Sequence, residues 1–262
     1  MKRVAWCVMA LAMLACAKKQ PDLTVLPAGA PAVSGAAIDS LWAKAELAFR
    51  RGWWHDAQVT LERLNLEMKP SDPRIPRLHF MMGEVLAVQG SELQAVREFR
   101  KVSDETPSDP LAPQALLRAG DAYAKLWRKP QLDPTYGQTA LSTFQELVSR
   151  YPGTRAALQG QVRLNELQDD FAYKGYRTGL YYYRIKAYDS SILYLRDVVA
   201  TYPRATIAPA ALVQLVKAYQ ALDYEEDVKE TCGYIRRFHS GTHDLNKVCP
   251  LPADSTGKSG KS

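Results

Sequence analysis

Two cysteines and two histidines near the C-terminal end are the residues of this sequence best spaced for metal chemistry. They follow the pattern C-x6-H-x3-H-x5-C and comprise Cys232, His239, His243 and Cys249. This spacing lacks the close pair of cysteines that common zinc sites contain. The alternative is a disulfide between Cys232 and Cys249, which would stabilise the fold by about 3 kcal/mol in an oxidising compartment. The sequence favours the disulfide and predicts no metal site and no cofactor.

The motifs of common nucleotide-binding and hydrolytic enzymes are missing from the sequence. It contains no G-x-x-x-x-G-K-[ST] loop, no G-x-G-x-x-G turn, no H-E-x-x-H helix and no G-x-S-x-G elbow. The acidic pairs at 169–170 and 225–226 have no histidine or nucleophile beside them that would make them an acid–base pair. We therefore expect a protein that is not an enzyme.

The excess of basic over acidic residues does not indicate a nucleic acid partner. There are 34 Lys and Arg residues against 28 Asp and Glu residues, which gives a formal net charge of +6. The cations are scattered along the chain, whereas nucleic acid binding calls for a basic run on one face. Scattered arginines better suit ligands that carry carboxylates, such as acidic peptides.

The first residues resemble an export signal that ends in a site of lipid attachment. Lys2 and Arg3 precede an apolar run at 4–15, which is too short to span a bilayer. The sequence Met-Leu-Ala-Cys at 13–16 resembles a bacterial lipobox, whose cysteine, here Cys16, becomes the acylated first residue. An ordinary cleaved signal with an incidental cysteine is the alternative. We assign 1–15 to the signal peptide and 16–37 to a Pro-, Ala- and Gly-rich flexible tether that spans on the order of 25 Å.

The remainder of the chain has the periodicity of repeated helical hairpins. Breaks that contain proline recur at Pro70, Pro107, Pro152 and Pro203, and the segments between them have apolar residues three and four apart, with no period-2 strand. Residues 76–109 match the 34-residue tetratricopeptide pattern, with Gly83, Ala95, Phe99 and Pro107 at positions 8, 20, 24 and 32. The sequence predicts an all-α fold, a tetratricopeptide-like α-solenoid of about five helical hairpins over 38–242, followed by a largely flexible extension at 243–262.

The spacing has a physical explanation, and it also indicates one irregular hairpin. Small residues at positions 8 and 20 let two helices approach closely, and the large residue at 24 fills the space beside them. Residues 155–170 form an additional helical segment that we expect to continue into the fourth hairpin as one long helix. Seven of the 14 tyrosines lie between Tyr173 and Tyr194. They are either core and groove-wall aromatics or a partner-binding patch of tyrosine and arginine.

The chain is similar to the BamD family of outer-membrane lipoproteins. The likeness covers about 38–242 and is most specific in DPT at 133–135 and ALSTFQELVSRYPGT at 140–154. It continues in GLYY at 179–182, AY at 187–188 and YP at 202–203. The chain departs from the family at three positions. Gly175 replaces a common Glu, and Tyr194 replaces a common Arg. Leu132 replaces the Arg that precedes the family's Asp.

The resemblance implies a lipid-anchored protein on the periplasmic face of the outer membrane. It implies that the C-terminal repeats bind the barrel-forming subunit of the β-barrel assembly machinery, with other assembly lipoproteins as further partners. It also implies that an N-terminal groove receives unfolded outer-membrane protein precursors. The partner-interface candidates are Tyr176, Tyr182, Tyr188, Tyr194 and Arg196. From their repeat positions, the groove candidates are Trp42, Phe49, His79, Arg118 and Tyr123.

Two other functions are compatible with a helical solenoid in the cell envelope. A general tetratricopeptide lipoprotein adaptor could coordinate peptidoglycan synthesis or cell division. It would differ from a subunit of the β-barrel assembly machinery only in its partners. An envelope hydrolase would need a nucleophile and base or a metal set, and the sequence offers neither.

Overall fold

A computed structural model of the 262-residue chain describes residues 35–127, 133–241 and 245–249. The predicted signal peptide, Cys16 and most of the tether lie outside these residues, as do Leu132, His243 and most of the C-terminal extension. The described residues contain helices and turns and no strand, which confirms the all-α prediction. The first helix begins at Gly35, three residues before the predicted start of the repeat domain.

Within the described residues, ten helices form five antiparallel hairpins and an eleventh short helix follows them. Their bounds are α1 Gly35–Arg50, α2 Trp54–Glu67, α3 Ile75–Val88, α4 Glu92–Glu105, α5 Ala112–Leu126, α6 Thr135–Arg150, α7 Arg155–Arg184, α8 Tyr188–Thr201, α9 Ala208–Gln220, α10 Glu225–Phe238 and α11 Leu245–Val248. We call the first helix of each hairpin its A helix and the second its B helix. The A helix α5 lies against α3 and α7, and α7 also lies against α9, so these helices form one continuous layer.

The second, third and fourth hairpins are each closed by a large side chain that packs onto a glycine. A Cβ atom placed on Gly83 would lie 2.6 Å from Cε1 of Phe99, and one on Gly120 would lie 2.5 Å from Cε1 of Phe144. In the fourth hairpin, a Cβ atom on Gly179 would lie 2.7 Å from Cγ of Leu195. At distances this short, a side chain at the glycine position would force the opposing side chain or the helix to shift. The predicted pairing of positions 8 and 24 is thereby confirmed.

The fifth hairpin reverses this arrangement of small and large residues. Cys232 is the eighth residue of α10, as Phe99 is of α4, and Val216 is the ninth residue of α9, as Gly83 is of α3. Val216 and Cys232 are both buried in the last hydrophobic cluster of the solenoid. The large partner has therefore moved to the A helix, and the B helix carries a small thiol-bearing side chain at the closing position.

The long helix α7 joins two hydrophobic clusters. It runs without interruption for 30 residues, as predicted, and the side-chain hydroxyl oxygen of Thr154 accepts a hydrogen bond from the Ala157 amide at its first turn. Phe171, near its middle, stacks on Trp127 with ring centroids 4.3 Å apart and lies parallel to Tyr202 at 6.4 Å. This aromatic stack connects the end of α5 with the turn between α8 and α9.

Candidate partner-binding surfaces

The two aromatic groove candidates of the first hairpin fill its interior. Trp42 and Phe49 are half-buried on α1 and pack against the N-terminal hydrophobic cluster. The Arg74 guanidinium lies 5.5 Å from the Trp42 ring centroid, and Phe49 meets Trp54 edge to face at 5.8 Å. Both side chains therefore stabilise the hairpin itself, with only part of each ring available to a ligand.

His79 does not fit the prediction that it lines a groove. It is 7% exposed and its Nδ1 lies 2.7 Å from Oε2 of Glu98, on the B helix of the same hairpin. Lys101 donates a second hydrogen bond to Glu98, at 2.9 Å. These bonds hold the pKa of Glu98 below its ordinary value although burial opposes them. His79 thus joins α3 to α4 inside the solenoid, and a buried polar side chain needs such a partner.

Arg118 is held in an ion pair, and it is part of a series that connects successive A helices. Its Nη2 donates to Oε2 of Glu84 at 2.9 Å, and this bonding raises the pKa of Arg118. Glu46 pairs with Arg77 at 2.9 Å, and Asp121 with Arg163 at 3.4 Å. We call these three pairs, Glu46–Arg77, Glu84–Arg118 and Asp121–Arg163, the ion-pair ladder. It links α1 to α3, α3 to α5 and α5 to α7.

A small charged cavity lies beside the middle of the ion-pair ladder. It has a volume of about 280 Å³, and its lining includes Val88, Glu92, Arg118, Asp121 and Lys125. Burial raises the pKa of Asp121 despite the two arginines near it. The cavity presents both signs of charge on the A-helix side. Tyr123, the remaining groove candidate, is half-buried between the first two hydrophobic clusters.

The tyrosines of the fourth hairpin form pairs of rings across its two helices. Tyr182 stacks on Tyr194 with centroids 5.3 Å apart, and Tyr181 meets Tyr182 edge to face at 5.5 Å. Tyr188 packs against Tyr183 at 5.3 Å. Tyr176 is half-buried against the third cluster, where burial raises its pKa. The structure thus keeps Tyr176 mainly in the core and leaves the Tyr182–Tyr194 pair at the surface.

A row of aromatic and cationic side chains lies along α7. These residues were not among the candidates selected from the sequence. Tyr173, Arg177, Tyr181 and Arg184 follow one another at intervals of four, four and three residues, which places them on one face of the helix. We call them the tyrosine–arginine stripe. Tyr173 and Tyr181 are 45% and 59% exposed, and the Arg177 guanidinium lies 6.0 Å from the Tyr173 ring. Helical spacing within the tyrosine-rich segment was the signal that could have identified it.

The arginines of the stripe differ from those of the ladder in their surroundings. In the described part of the chain, no carboxylate lies within ion-pair distance of Arg177 or Arg184, whereas every ladder arginine has one. Uncompensated guanidinium groups next to exposed tyrosines are typical of protein interfaces. The stripe is therefore the surface of this helix best suited to an acidic or polar partner.

Arg196 lies on a different surface from the tyrosine pair. It lines a cavity of about 340 Å³ between α8, α9 and α10, together with Tyr219, Tyr234 and His239. Asp227 and Glu230 also line this cavity. Tyr194, two residues before Arg196 on the same helix, instead faces α7 through its contact with Tyr182. The five predicted interface residues are therefore distributed over the core and two separate surfaces.

The sulfur atoms of Cys232 and Cys249 are joined in a disulfide, with Cα atoms 5.6 Å apart. Among the residues that the structure describes, no group of three or more His, Cys, Asp and Glu side chains could hold a metal ion. Within the same residues, no helix is both long and apolar enough to cross a membrane.

Comparison with known proteins identifies a matching family and several relatives. The family described as YfiO, outer membrane lipoprotein, matches residues 37–233. An outer membrane protein assembly factor BamD of Caulobacter vibrioides is 22% identical over 226 residues, which cover 86% of this chain and 72% of the relative. A protein of the same name from Xylella fastidiosa is 23% identical over 198 residues, with coverage of 72% and 68%. A thermophilic TPR protein of Thermus thermophilus covers 80% of this chain and 96% of its own length at 16% identity, with a TM-score of 0.36.

Proposed function

Because the chain belongs to the YfiO family of outer membrane lipoproteins, we propose that it is a non-enzymatic scaffold of the β-barrel assembly machinery. Two relatives that carry the name outer membrane protein assembly factor support this proposal. In it, a lipid on Cys16 anchors the mature chain to the periplasmic face of the outer membrane. The solenoid binds the barrel-forming subunit of the machinery, together with other assembly lipoproteins, and unfolded outer-membrane protein precursors.

The observation that carries the proposal is the contrast between the ion-pair ladder and the tyrosine–arginine stripe. The ladder compensates one arginine in each of the second, third and fourth hairpins within the chain, so these groups connect successive hairpins. In the stripe, Arg177 and Arg184 have no carboxylate within ion-pair distance among the described residues, and they lie on the same helix face as the exposed Tyr173 and Tyr181. We therefore assign the barrel-forming subunit to the fourth hairpin, with the nearby Tyr182–Tyr194 pair as part of the same interface.

Precursors are assigned to the N-terminal half, at the charged cavity beside Arg118. Val88 is 53% exposed at the rim of this cavity and offers an apolar contact. An incoming carboxylate would have to compete with Glu84 for Arg118. We therefore expect modest affinity, which suits a step in which a precursor is received and passed on.

The test of the partner interface is co-purification from the source cell with charge-reversed variants. Arg177→Glu with Arg184→Glu should abolish recovery of a large barrel protein that has N-terminal periplasmic repeats. Lys44→Glu with Arg50→Glu makes the same charge change at two exposed positions of α1 and serves as the matched control. Recovery of the barrel protein with both double variants alike would contradict the assignment. Recovery of peptidoglycan or division proteins in its place would favour the general adaptor.

The test of the precursor site is site-specific photocrosslinking. A photoreactive residue at Val88 should label a peptide of the last strand of a barrel protein, and one at Leu193, which is 68% exposed on α8, should not. Labelling at Leu193 alone would place precursors on the C-terminal half. Depletion of the protein should also lower the level of folded barrels in the outer membrane.

A further inference from the structure

The fifth hairpin is followed by a short segment in the place where another hairpin would begin. We call residues 245–249 the C-terminal cap. Leu245, Val248 and Cys249 are 8%, 7% and 0% exposed, and they pack in one cluster with residues of α9 and α10. The partners in that cluster are Leu212, Val213, Val216, Cys232 and Ile235. The cap therefore covers apolar surface at the end of the solenoid.

Hydrogen bonds and the disulfide add to the apolar packing of the C-terminal cap. Gln220 donates a hydrogen bond from Nε2 to the Val248 carbonyl at 2.9 Å, and Arg236 donates from Nη2 to the Cys249 carbonyl at 2.6 Å. The helix α11 has only four residues, and a helix of this length is not stable by itself in water. A segment this short therefore depends on its attachments to α9 and α10, and the bond to Cys232 is the covalent one.

Cys232 is 5% exposed and Cys249 is 0% exposed, so any access of a reductant to the bond is from the Cys232 side. Cys232 and Cys249 both line a cavity of about 440 Å³, whose other residues include Tyr224 and Val228. Cys232 occupies the closing position of the fifth hairpin, where the second and third hairpins have a buried phenylalanine. Its cleavage therefore affects the packing between α9 and α10 as well as the cap.

We propose that the Cys232–Cys249 disulfide is a redox-controlled clamp, and that its reduction releases the C-terminal cap and uncovers the end of the solenoid. A dithiol attacks one of the two sulfurs, forms a mixed disulfide and leaves as a cyclic disulfide. Two electrons pass from the dithiol to the protein, and its two protons end on the thiols of Cys232 and Cys249. The surface uncovered is the apolar cluster of α9 and α10 residues on which the cap packs.

Hydrogen–deuterium exchange of the full mature chain, oxidised and after treatment with dithiothreitol, tests this proposal. Reduction should accelerate amide exchange of the cap by about 100-fold, the factor expected when the closure of a loop of this length is lost. Exchange in α9 and α10 should rise as well, and binding of an apolar fluorescent dye should increase. Reoxidation should reverse all three changes.

Variants and an internal reference separate the clamp from general instability. Cys232→Ala with Cys249→Ala should behave as the reduced protein and should not respond to the dithiol. Val248→Asp, with the disulfide intact, should raise dye binding without a reductant because it displaces an apolar contact of the cap. Exchange in α1–α6 should stay the same throughout. Unchanged exchange of the cap after reduction, or loosening that spreads to α1–α6, would overturn the proposal.

Discussion

Gly120→Ala is the most direct test of how tightly the hairpins are closed. The added methyl carbon would lie 2.5, 2.8 and 2.8 Å from three ring carbons of Phe144. Ordinary carbon contacts are about 3.5–4.0 Å, so ring and helix must separate by roughly 1 Å. Phe144 is fully buried. Overpacking of this kind costs about 1–3 kcal/mol, whereas alanine gains about 1 kcal/mol over glycine inside a helix. We expect a net loss of up to about 2 kcal/mol in the free energy of unfolding.

Gly233→Ala supplies the matched control for this change. Gly233 also lies inside a helix, but a Cβ atom placed there has no heavy atom within 4 Å. Alanine should therefore stabilise the chain at this position by up to about 1 kcal/mol. Urea unfolding followed by far-ultraviolet circular dichroism measures both variants, with hydrogen exchange to localise the effect. If Gly120→Ala were as stable as Gly233→Ala, the close packing described for the hairpins would be wrong.

Three further predictions concern α5 and α7. Thr154→Ala removes the cap of α7 and should lower the free energy of unfolding by about 0.5–2 kcal/mol, measured by urea unfolding against Thr154→Ser. Phe171→Ala should cost about 3–5 kcal/mol, measured in the same way, because it empties the space between Trp127 and Tyr202. Burial raises the pKa of Asp121 above its ordinary 3.8, so the folded chain binds this proton more tightly than the unfolded chain. The stabilisation from this group is complete below that value and is lost as the pH rises through the pKa of the folded state. Asp121→Asn should abolish that part of the pH dependence, and an unchanged profile would refute the assignment.

The architecture was predictable from the sequence because its signals are local. Gly83 and Phe99 lie 16 residues apart, as do Gly179 and Leu195, and both pairs belong to a single hairpin. Proline two or three residues after α2, α4, α6 and α8 marks the ends of these B helices, because it can neither donate the next hydrogen bond nor fit against the preceding turn. The continuity of α7 was visible in the absence of a break between 155 and 184.

The candidate site was less predictable because it depends on contacts between hairpins. Arg118 lies on the A helix α5, but its partner Glu84 lies 34 residues earlier and no pattern connects them. The repeat position of His79 predicts the helix on which it lies. Whether its side chain faces the groove or the core depends on a shift of only one residue around that helix. Tyr194 and Arg196 are only two residues apart in the sequence, but residues two apart on a helix do not share a face, and these two lie on different sides of α8.

The uninterrupted α7 limits how this repeat domain could be shortened or rebuilt. Arrays of hairpins usually gain or lose whole repeats, because each unit contacts only its neighbours. Here Leu164 and Leu167 belong to the cluster of the third hairpin and Ala172 to the next cluster, so one helix serves both. A boundary after Arg150 would remove Gly160, which packs against Leu147, and would expose the third hairpin. The smallest N-terminal fragment that keeps its core therefore extends into the middle of α7, so the exchangeable modules of this protein are not its repeats.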